Sequence, residues 1–182
     1  MLPVEALMQE HRIIERLIPP FRKEAIRLES SRKIDKKFIE KAVDFLRIYG
    51  DRNHHGKEEG ILFRELGKKP TSTQEAMIMK ALMQEHAIGR RLTGKLEEAN
   101  ARDANGDSEA WRDVNKYLNE LAALYSEHIE KEDKRFFYPI NSYFSANEQE
   151  AMLKEFENFN RKLVHEIYAQ IAGELEKTAV PE

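Results

Sequence analysis

The chain contains no cysteine among its 182 residues, which excludes disulfides, thiolate metal ligands and cysteine nucleophiles. Glycine and proline are also scarce, at eight and six residues, and this argues against a loop-rich or disordered protein. No apolar run is long enough to span a bilayer, and the first residues lack the basic and apolar regions of a signal peptide. These absences favour a soluble cytoplasmic protein.

The charge balance excludes a further class of partner. The 30 lysines and arginines are offset by 33 aspartates and glutamates, for a net charge of −3. Because a nucleic-acid-binding domain carries a basic surface, we expect no nucleic acid as a partner, and no membrane. The chain length and the 41% of hydrophobic residues suit one domain with an ordinary core.

Apolar residues recur with helical spacing in nearly every segment, and no segment shows the alternation of a half-buried strand. Polar or turn-forming breaks at residues 30–33, 67–70 and 105–107 separate four long helices. Pro19 and Pro20 must kink or interrupt the first helix, because proline removes a backbone donor and clashes with the preceding turn. The pattern predicts an all-α fold with four bundle helices and an additional C-terminal helix.

Local signals predict where the helices begin, because a polar side chain before a helix accepts hydrogen bonds from its first backbone N–H groups. The predicted caps are Asp35 for the second helix, Thr71 or Thr73 for the third, Ser108 for the fourth, and Ser145 with Glu148 for the fifth. The first four helices form a bundle domain over residues 1–144. An extension over residues 145–182 packs on the bundle or mediates association.

An internal repeat is the most informative feature of the sequence. The pentapeptide Leu-Met-Gln-Glu-His at residues 7–11 recurs at residues 82–86. A His-x-x-x-Glu motif that ends at Glu58 recurs and ends at Glu132. Each half of the chain therefore contains a helix with one histidine followed by a helix with the motif, which predicts a duplicated helical hairpin.

The repeated histidines and glutamates fall on the apolar faces of their helices. Residues four apart on a helix share one face, so the histidine and the glutamate of each motif can bind the same metal centre. A carboxylate is almost never buried unless it is paired or binds a metal. The predicted metal ligands are His11, His54, Glu58, His86, His128 and Glu132.

Six ligands in two matched halves fit two metal ions better than one. The simplest assignment gives each ion two histidines and lets both glutamates bridge the ions. Neutral imidazole and carboxylate ligands suit iron, manganese or zinc, although structural zinc normally takes four ligands.

The order H…HxxxE…H…HxxxE, with His-His-Gly-Lys-Glu-Glu at residues 54–59, resembles the hemerythrin-like HHE cation-binding family over roughly residues 1–140. The resemblance implies an up-down four-helix bundle around a non-haem di-iron centre, with the six residues named above as ligands. It also implies dioxygen binding, or responses to nitric oxide, peroxide or iron. The sequence departs from oxygen-carrying members on the third helix, where Leu82 and Arg90, four residues either side of His86, replace a second histidine.

These features predict a di-iron protein that binds a small diatomic molecule or peroxide for sensing, storage or detoxification. The alternatives are a di-iron oxidase or peroxidase-like enzyme, and a helical interaction module with a structural metal. A proton donor beside the metal would favour the enzyme, and Tyr49 and Tyr125 are the nearest candidates. A surface of Phe156, Phe159 and Leu163 on the fifth helix would favour the sensor, and would contact a second copy of the chain or another protein.

The sequence leaves the roles of several further residues open. His55 is a fifth histidine ligand, a hydrogen-bond partner of a ligand, or a partly exposed neighbour. Glu15 follows His11 by four residues but has no counterpart in the second half, so a surface or hydrogen-bonding role fits it better. His165 is assigned to the surface of the fifth helix. Glu10 and Glu85 each precede a ligand, and either accept from a ligand imidazole or belong to a solvated helix face.

Overall fold

The computed structural model describes the backbone of residues 1–178 and the side chains of residues 1–171. Over this range the chain forms five helices and no strand, which confirms the predicted all-α bundle. We number these helices α1 (residues 3–31), α2 (residues 36–66), α3 (Thr73–Ala104), α4 (residues 110–141) and α5 (Ala146–Thr178). No helix in the described part of the chain has the length and apolar character needed to cross a membrane.

Helix α1 is interrupted where the prolines predict it. An α-helical segment, Pro3–Ile14, is followed by a single 3₁₀ turn, Glu15–Leu17, and a second α-helical segment, Ile18–Ser31. Pro19 and Pro20 lie in the first turn of that second segment, where a missing backbone N–H leaves no hydrogen bond unmade. The two prolines therefore remove no hydrogen bond that the helix would otherwise form.

Helices α2 and α4 contain π-helical stretches at their histidine–glutamate motifs. Helix α2 consists of Lys36–Phe45, the π-helices Leu46–His55 and Glu58–Phe63, and Arg64–Leu66. Helix α4 consists of Ala110–Lys131, the π-helix Glu132–Phe136, and Phe137–Asn141. A π-helix bonds each N–H to the carbonyl five residues back and occurs frequently at functional sites. Its wider turn lets the adjacent side chains of His54 and His55 both be buried in the bundle.

Two of the predicted helix caps are confirmed. The Asp35 carboxylate accepts a hydrogen bond from the Phe38 N–H at 3.1 Å. At the start of α5, the Ser145 hydroxyl accepts from the Glu148 N–H, and the Glu148 carboxylate accepts from the Ser145 N–H at 2.8 Å. These are the two reciprocal bonds of a capping box.

The other two cap predictions are wrong by one residue. Helix α3 is capped by Ser72, which lies between the two predicted threonines and forms a capping box with Glu75. At the start of α4, the cap residue is Glu109, whose side chain makes no cap hydrogen bond, and the Asp107 carboxylate, not Ser108, accepts from the Glu109 N–H at 3.0 Å. In both places neighbouring polar residues compete for the same N–H groups, and the turn geometry selects among them.

The predicted ligands separate two apolar clusters along the bundle. One cluster contains Ile14, Leu46, Leu92 and Tyr125, and the other contains Leu7, Leu62, Leu82 and Phe136. On each of the four helices the ligand lies between a residue of one cluster and a residue of the other. The polar groups are therefore enclosed above and below by packed apolar side chains.

Helix α5 packs on the bundle with its first half. Met152, Phe156 and Leu163 are buried, and Phe159 packs against the same cluster as Phe156. A Cβ atom at Gly56 would lie only 2.7 Å from the Phe159 ring, so the close approach of α5 to α2 requires glycine there. The three side chains considered as a partner surface thus face the bundle, and are not available to a second protein while α5 is docked.

Candidate metal centre

The six predicted ligands converge in the middle of the bundle, one from α1, two from α2, one from α3 and two from α4. None of them is more than 3% exposed. With His55 included, the potential ligand atoms fall into two groups, within each of which the atoms lie within 4.8 Å of one another. The first group is His11, His54, Glu58 and Glu132, and the second is His55, Glu58, His86 and His128.

Both glutamates lie between the two groups. The shortest distances from histidine Nε2 to glutamate oxygen are 3.3 Å for His54–Glu58, 3.4 Å for His86–Glu58, 3.1 Å for His11–Glu132 and 3.2 Å for His128–Glu132. Each carboxylate thus contacts one histidine of the first group and one of the second. This arrangement fits the expectation that both glutamates bridge two metal ions.

The polar atoms at the centre approach one another without forming hydrogen bonds. The Nε2 atoms of His11, His54, His86 and His128 and both carboxylate oxygens of Glu58 and Glu132 are buried, and although some lie 3.1–3.4 Å apart, none makes a hydrogen bond of normal geometry. Buried polar atoms without partners are rare and destabilise a fold. Eight such atoms facing one another, all from imidazole or carboxylate, are the donor set of a metal site, so the residues present fit bound cations.

His55 is the ligand candidate that the sequence left open. It is 3% exposed, and its ring lies parallel to that of His86 with centroids 3.9 Å apart. It gives the second group three histidines, whereas the first has two. Its repeat counterpart is Ile129, so the difference between the groups is present in the sequence. Two features of the sequence together indicated His55 as a ligand candidate: α3 lacks a second histidine, and α2 has two adjacent ones.

Each of the five buried histidines has a carboxylate at Nδ1. The Nδ1–oxygen distances are 2.7 Å for His11–Asp133, 3.0 Å for His54–Glu10, 3.3 Å for His55–Asp51, 2.7 Å for His86–Glu59 and 2.9 Å for His128–Glu85. A carboxylate acceptor there places the imidazole proton on Nδ1 and leaves the Nε2 lone pair facing the centre. The rings are thereby oriented as metal ligands require, and in their neutral form the proton lies on Nδ1.

Each of these carboxylates also forms an ion pair with a lysine or an arginine. Lys57 pairs with Glu10, Lys131 with Glu85, Arg12 with Asp133, and Arg90 with both Glu59 and Asp51. Burial raises the pKa of Glu10, Glu59 and Glu85, but their contacts with histidine and with these cations outweigh it, so each pKa is lowered. The carboxylates therefore stay ionised as acceptors.

The repeat contained a signal for most of these outer residues. Lys57 and Lys131 each precede a motif glutamate, and Glu59 and Asp133 each follow one. Of these outer residues, the sequence had indicated only Glu10 and Glu85 as partners of a ligand. The pairings of the others could not be read from spacing, because they join residues far apart in the chain.

The centre favours protonated histidine when no metal is present. Burial lowers the pKa of His54, but Glu58 and Glu10 outweigh it and raise the pKa to about 9. Glu132 and Glu85 likewise raise the pKa of His128 to about 10 despite burial. Burial and the neighbouring histidines hold the pKa of His55 well below its ordinary value, so this imidazole stays neutral.

The remaining candidates lie at different distances from the centre. Glu15 is partly exposed and pairs with Arg12 at 3.2 Å, outside the buried group. Tyr49 is half-buried and packs against Phe45. Tyr125 is buried with its ring parallel to that of His55, centroids 6.4 Å apart. His165 is exposed on α5, where the sequence placed it.

Comparison with known proteins identifies the family signature. The family model described as the hemerythrin HHE cation binding domain matches residues 2–140. No match to a curated protein or to a solved structure is found. The matched range covers almost all of α1 to α4 and ends before α5.

Proposed function

Because the chain belongs to the hemerythrin HHE cation-binding family, we propose that it binds two iron ions between α1 and α4 as a non-haem di-iron centre. The centre binds a small ligand such as dioxygen, nitric oxide or peroxide, for sensing, storage or detoxification in the cytoplasm. The observation that carries the proposal is the set of eight buried, unpaired donor atoms on four histidines and two glutamates.

Two ions fit the donor set better than one. The histidines form two groups that share Glu58, and Glu132 contacts a histidine of each group. A structural zinc ion takes four ligands, which would leave part of this set unused. Imidazole with carboxylate also suits manganese or zinc. Metal analysis therefore has to identify the bound element.

The chain's own residues prepare the site for cations. The five Nδ1 contacts orient the imidazoles, and the ion pairs behind them fix the carboxylate acceptors. The apolar clusters above and below exclude bulk water. An iron pair held by these histidines and glutamates would supply redox chemistry toward small oxygen and nitrogen ligands.

Metal analysis with optical spectroscopy tests the proposal. Protein purified aerobically from iron-supplied cells should contain about two irons per chain and show oxo-to-iron absorption in the near ultraviolet that azide perturbs. Glu58→Ala and Glu132→Ala should each lose at least one ion, because each carboxylate contacts both groups. His165→Ala, on the exposed face of α5, is the matched control and should retain full metal content. One tetrahedral zinc per chain would contradict the di-iron proposal.

A di-iron oxidase or peroxidase-like enzyme is the second candidate. The observation that favours it is the Tyr125 phenol, a buried potential proton donor close to His55. Metal-loaded protein that consumes peroxide over many turnovers would support the enzyme. Binding without turnover would support the sensor or store.

A further inference from the structure

Helix α5 packs on the turn of α2 that carries the predicted ligands His54 and Glu58. Gly56 lies midway between these two ligands, and a Cβ atom there would lie only 2.7 Å from the Phe159 ring of α5. The next residue, Lys57, is almost completely buried. One side of this turn therefore faces the metal centre, and the opposite side is in close contact with α5.

A chain of polar contacts also joins a predicted ligand to α5. The Nδ1 atom of His54 lies 3.0 Å from a carboxylate oxygen of Glu10, and Glu10 pairs with Lys57. The Lys57 ammonium donates to the Asn160 side chain at 3.1 Å and lies 5.9 Å from the centre of the Phe156 ring. Asn160 and Phe156 both belong to α5. Contiguous contacts of this kind can carry coupling between two sites.

The first ligand group joins the two helices on which α5 packs. Helix α5 contacts α1 and α2. Within the first group, His11 belongs to α1, and His54 and Glu58 belong to α2, whereas the second group contains no residue of α1. An ion bound by the first group would therefore hold α1 against α2, and with them the surface on which α5 packs.

The second half of the chain has the same turn without a helix on it. Glu130 and Lys131 correspond to Gly56 and Lys57. The side chain of Glu130 is 54% exposed, and Lys131 is partly exposed although it still pairs with Glu85. The outer ion pair therefore forms without a covering helix, so the need to orient a ligand does not by itself explain α5.

We propose that α5 and the ion of the first group stabilise each other, so that loss of this ion releases α5 from the bundle. The inference rests on the proposed function, because it requires that the first group binds a metal ion. Release exposes the apolar face of α5, which consists of Met152, Phe156, Phe159 and Leu163. The metal-free protein then offers an interaction surface that the metal-loaded protein keeps covered.

Amide hydrogen exchange of the full chain, metal-loaded and chelator-treated, measures the packing of α5 directly. Exchange over residues 152–163 should be at least about tenfold faster in the metal-free protein, because a released helix opens more often. Residues 110–121 of α4, which include no predicted ligand, are the internal reference and should change less. Equal protection of α5 in both states, in a protein shown to bind metal, overturns the inference and leaves the proposed function standing.

Coupling between two sites is reciprocal, so a disturbance of α5 should weaken metal binding. Gly56→Ala forces the Phe159 ring away, and should weaken one ion by about five- to 150-fold in competition with a chelator, the usual range for coupled sites. Gly60→Ala is the matched control, because a Cβ atom there meets no neighbouring side chain within 4 Å. Adding Phe159→Leu to Gly56→Ala makes room for the new methyl group, and should restore most of the affinity.

A second pair of variants tests the polar contacts without a steric clash. Asn160→Leu removes the acceptor of Lys57. Asn158→Leu makes the same change at a side chain that accepts from Arg161 of α5 itself, and is the control. Weaker metal binding in Gly56→Ala and Asn160→Leu than in their controls supports the inference.

Two results of these measurements would overturn the inference. One is equal affinity in each variant and its control, and the other is a loss in Gly56→Ala that Phe159→Leu does not reverse, since that loss would arise within α2. A wild type that takes up no metal overturns the proposed function itself.

Discussion

The two halves of the molecule, α1 with α2 and α3 with α4, build the same support for a metal ion. Glu10 accepts from His54 and pairs with Lys57 in one half. Glu85 accepts from His128 and pairs with Lys131 in the other. These contacts occur at matching positions, so the same pair of residues orients a ligand histidine in each half.

The halves differ at two pairs of corresponding positions beside the centre. His55 in α2 corresponds to Ile129 in α4, and Asp51 corresponds to Tyr125. One half therefore supplies an extra histidine with its acceptor, and the other supplies the phenol above it. The matching residues orient a ligand histidine in each half, and the differing ones make the two groups of potential ligand atoms unequal.

Helix α5 adds a second difference between the halves. Lys57 is 2% exposed because α5 covers it, and its ammonium donates to the Asn160 side chain at 3.1 Å. The side chain of Lys131, the corresponding residue, is 27% exposed. The outer ion pair of the first half is thus built into the interface with α5, whereas that of the second half faces solvent.

Removal of the metal should have the largest effect. Binding to the folded state alone stabilises it by about 4 kcal/mol when free metal exceeds the dissociation constant a thousandfold. The apo protein should stay helical, since both apolar clusters remain, but unfold at a clearly lower temperature and over a broader range. Thermal unfolding of apo and holo protein followed by circular dichroism measures this. Coincident curves at neutral pH would contradict a buried metal site.

Replacing the two corresponding lysines tests the difference that α5 makes. Lys57→Met leaves Glu10 without its cation in a covered site, and should lower the free energy of unfolding by about 3 kcal/mol. Lys131→Met removes a partly exposed pair and should cost about 1 kcal/mol or less. Urea unfolding of both holo variants makes the comparison. Equal losses would show that α5 contributes nothing to the energetics of the Lys57 pair.

The sequence predicted contacts between residues close together in the chain, and it did not predict most hydrogen bonds between residues on different helices. The spacing of four between His54 and Glu58 and the capping box at Ser145 depend on neighbours along one helix, so they could be predicted. The inward position of His55 depends on a π-helical turn, for which no spacing rule exists. The contact of His11 with Asp133 joins α1 to α4 and depends on how the helices pack.

The unequal histidine count predicts unequal loss of metal. His55→Ala should weaken one ion by at least the tenfold to hundredfold that losing an outer partner of a ligand typically costs, while the ion in the first group stays bound. His165→Ala again serves as the control. Competition with a chelator, followed by metal analysis, separates the two ions. Loss of both ions in parallel would show that the groups do not bind independently.

Metal uptake should release protons, because ligand histidines in both halves have raised pKa values. In the metal-free protein the pKa values of about 9 for His54 and about 10 for His128 mean that both are protonated at pH 7.5, whereas His55 is neutral. A metal binds only the neutral imidazole. Asp133 and Glu132 also raise the pKa of His11 despite its burial and the neighbouring His54, so we expect at least two protons to be released per chain. Calorimetry in buffers of different ionisation enthalpy counts them.

The same pKa shifts set the direction of the pH dependence. Raised histidine pKa values stabilise the metal-free fold below the unfolded value of about 6.5, and this contribution is lost as the pH rises through 9 to 10. Metal affinity changes in the opposite sense, by up to about tenfold per pH unit for each proton displaced. The difference in unfolding temperature between holo and apo protein should therefore shrink on acidification from pH 8 to pH 6. A difference that stays constant over that interval would mean that the ligand histidines are already neutral before the metal binds.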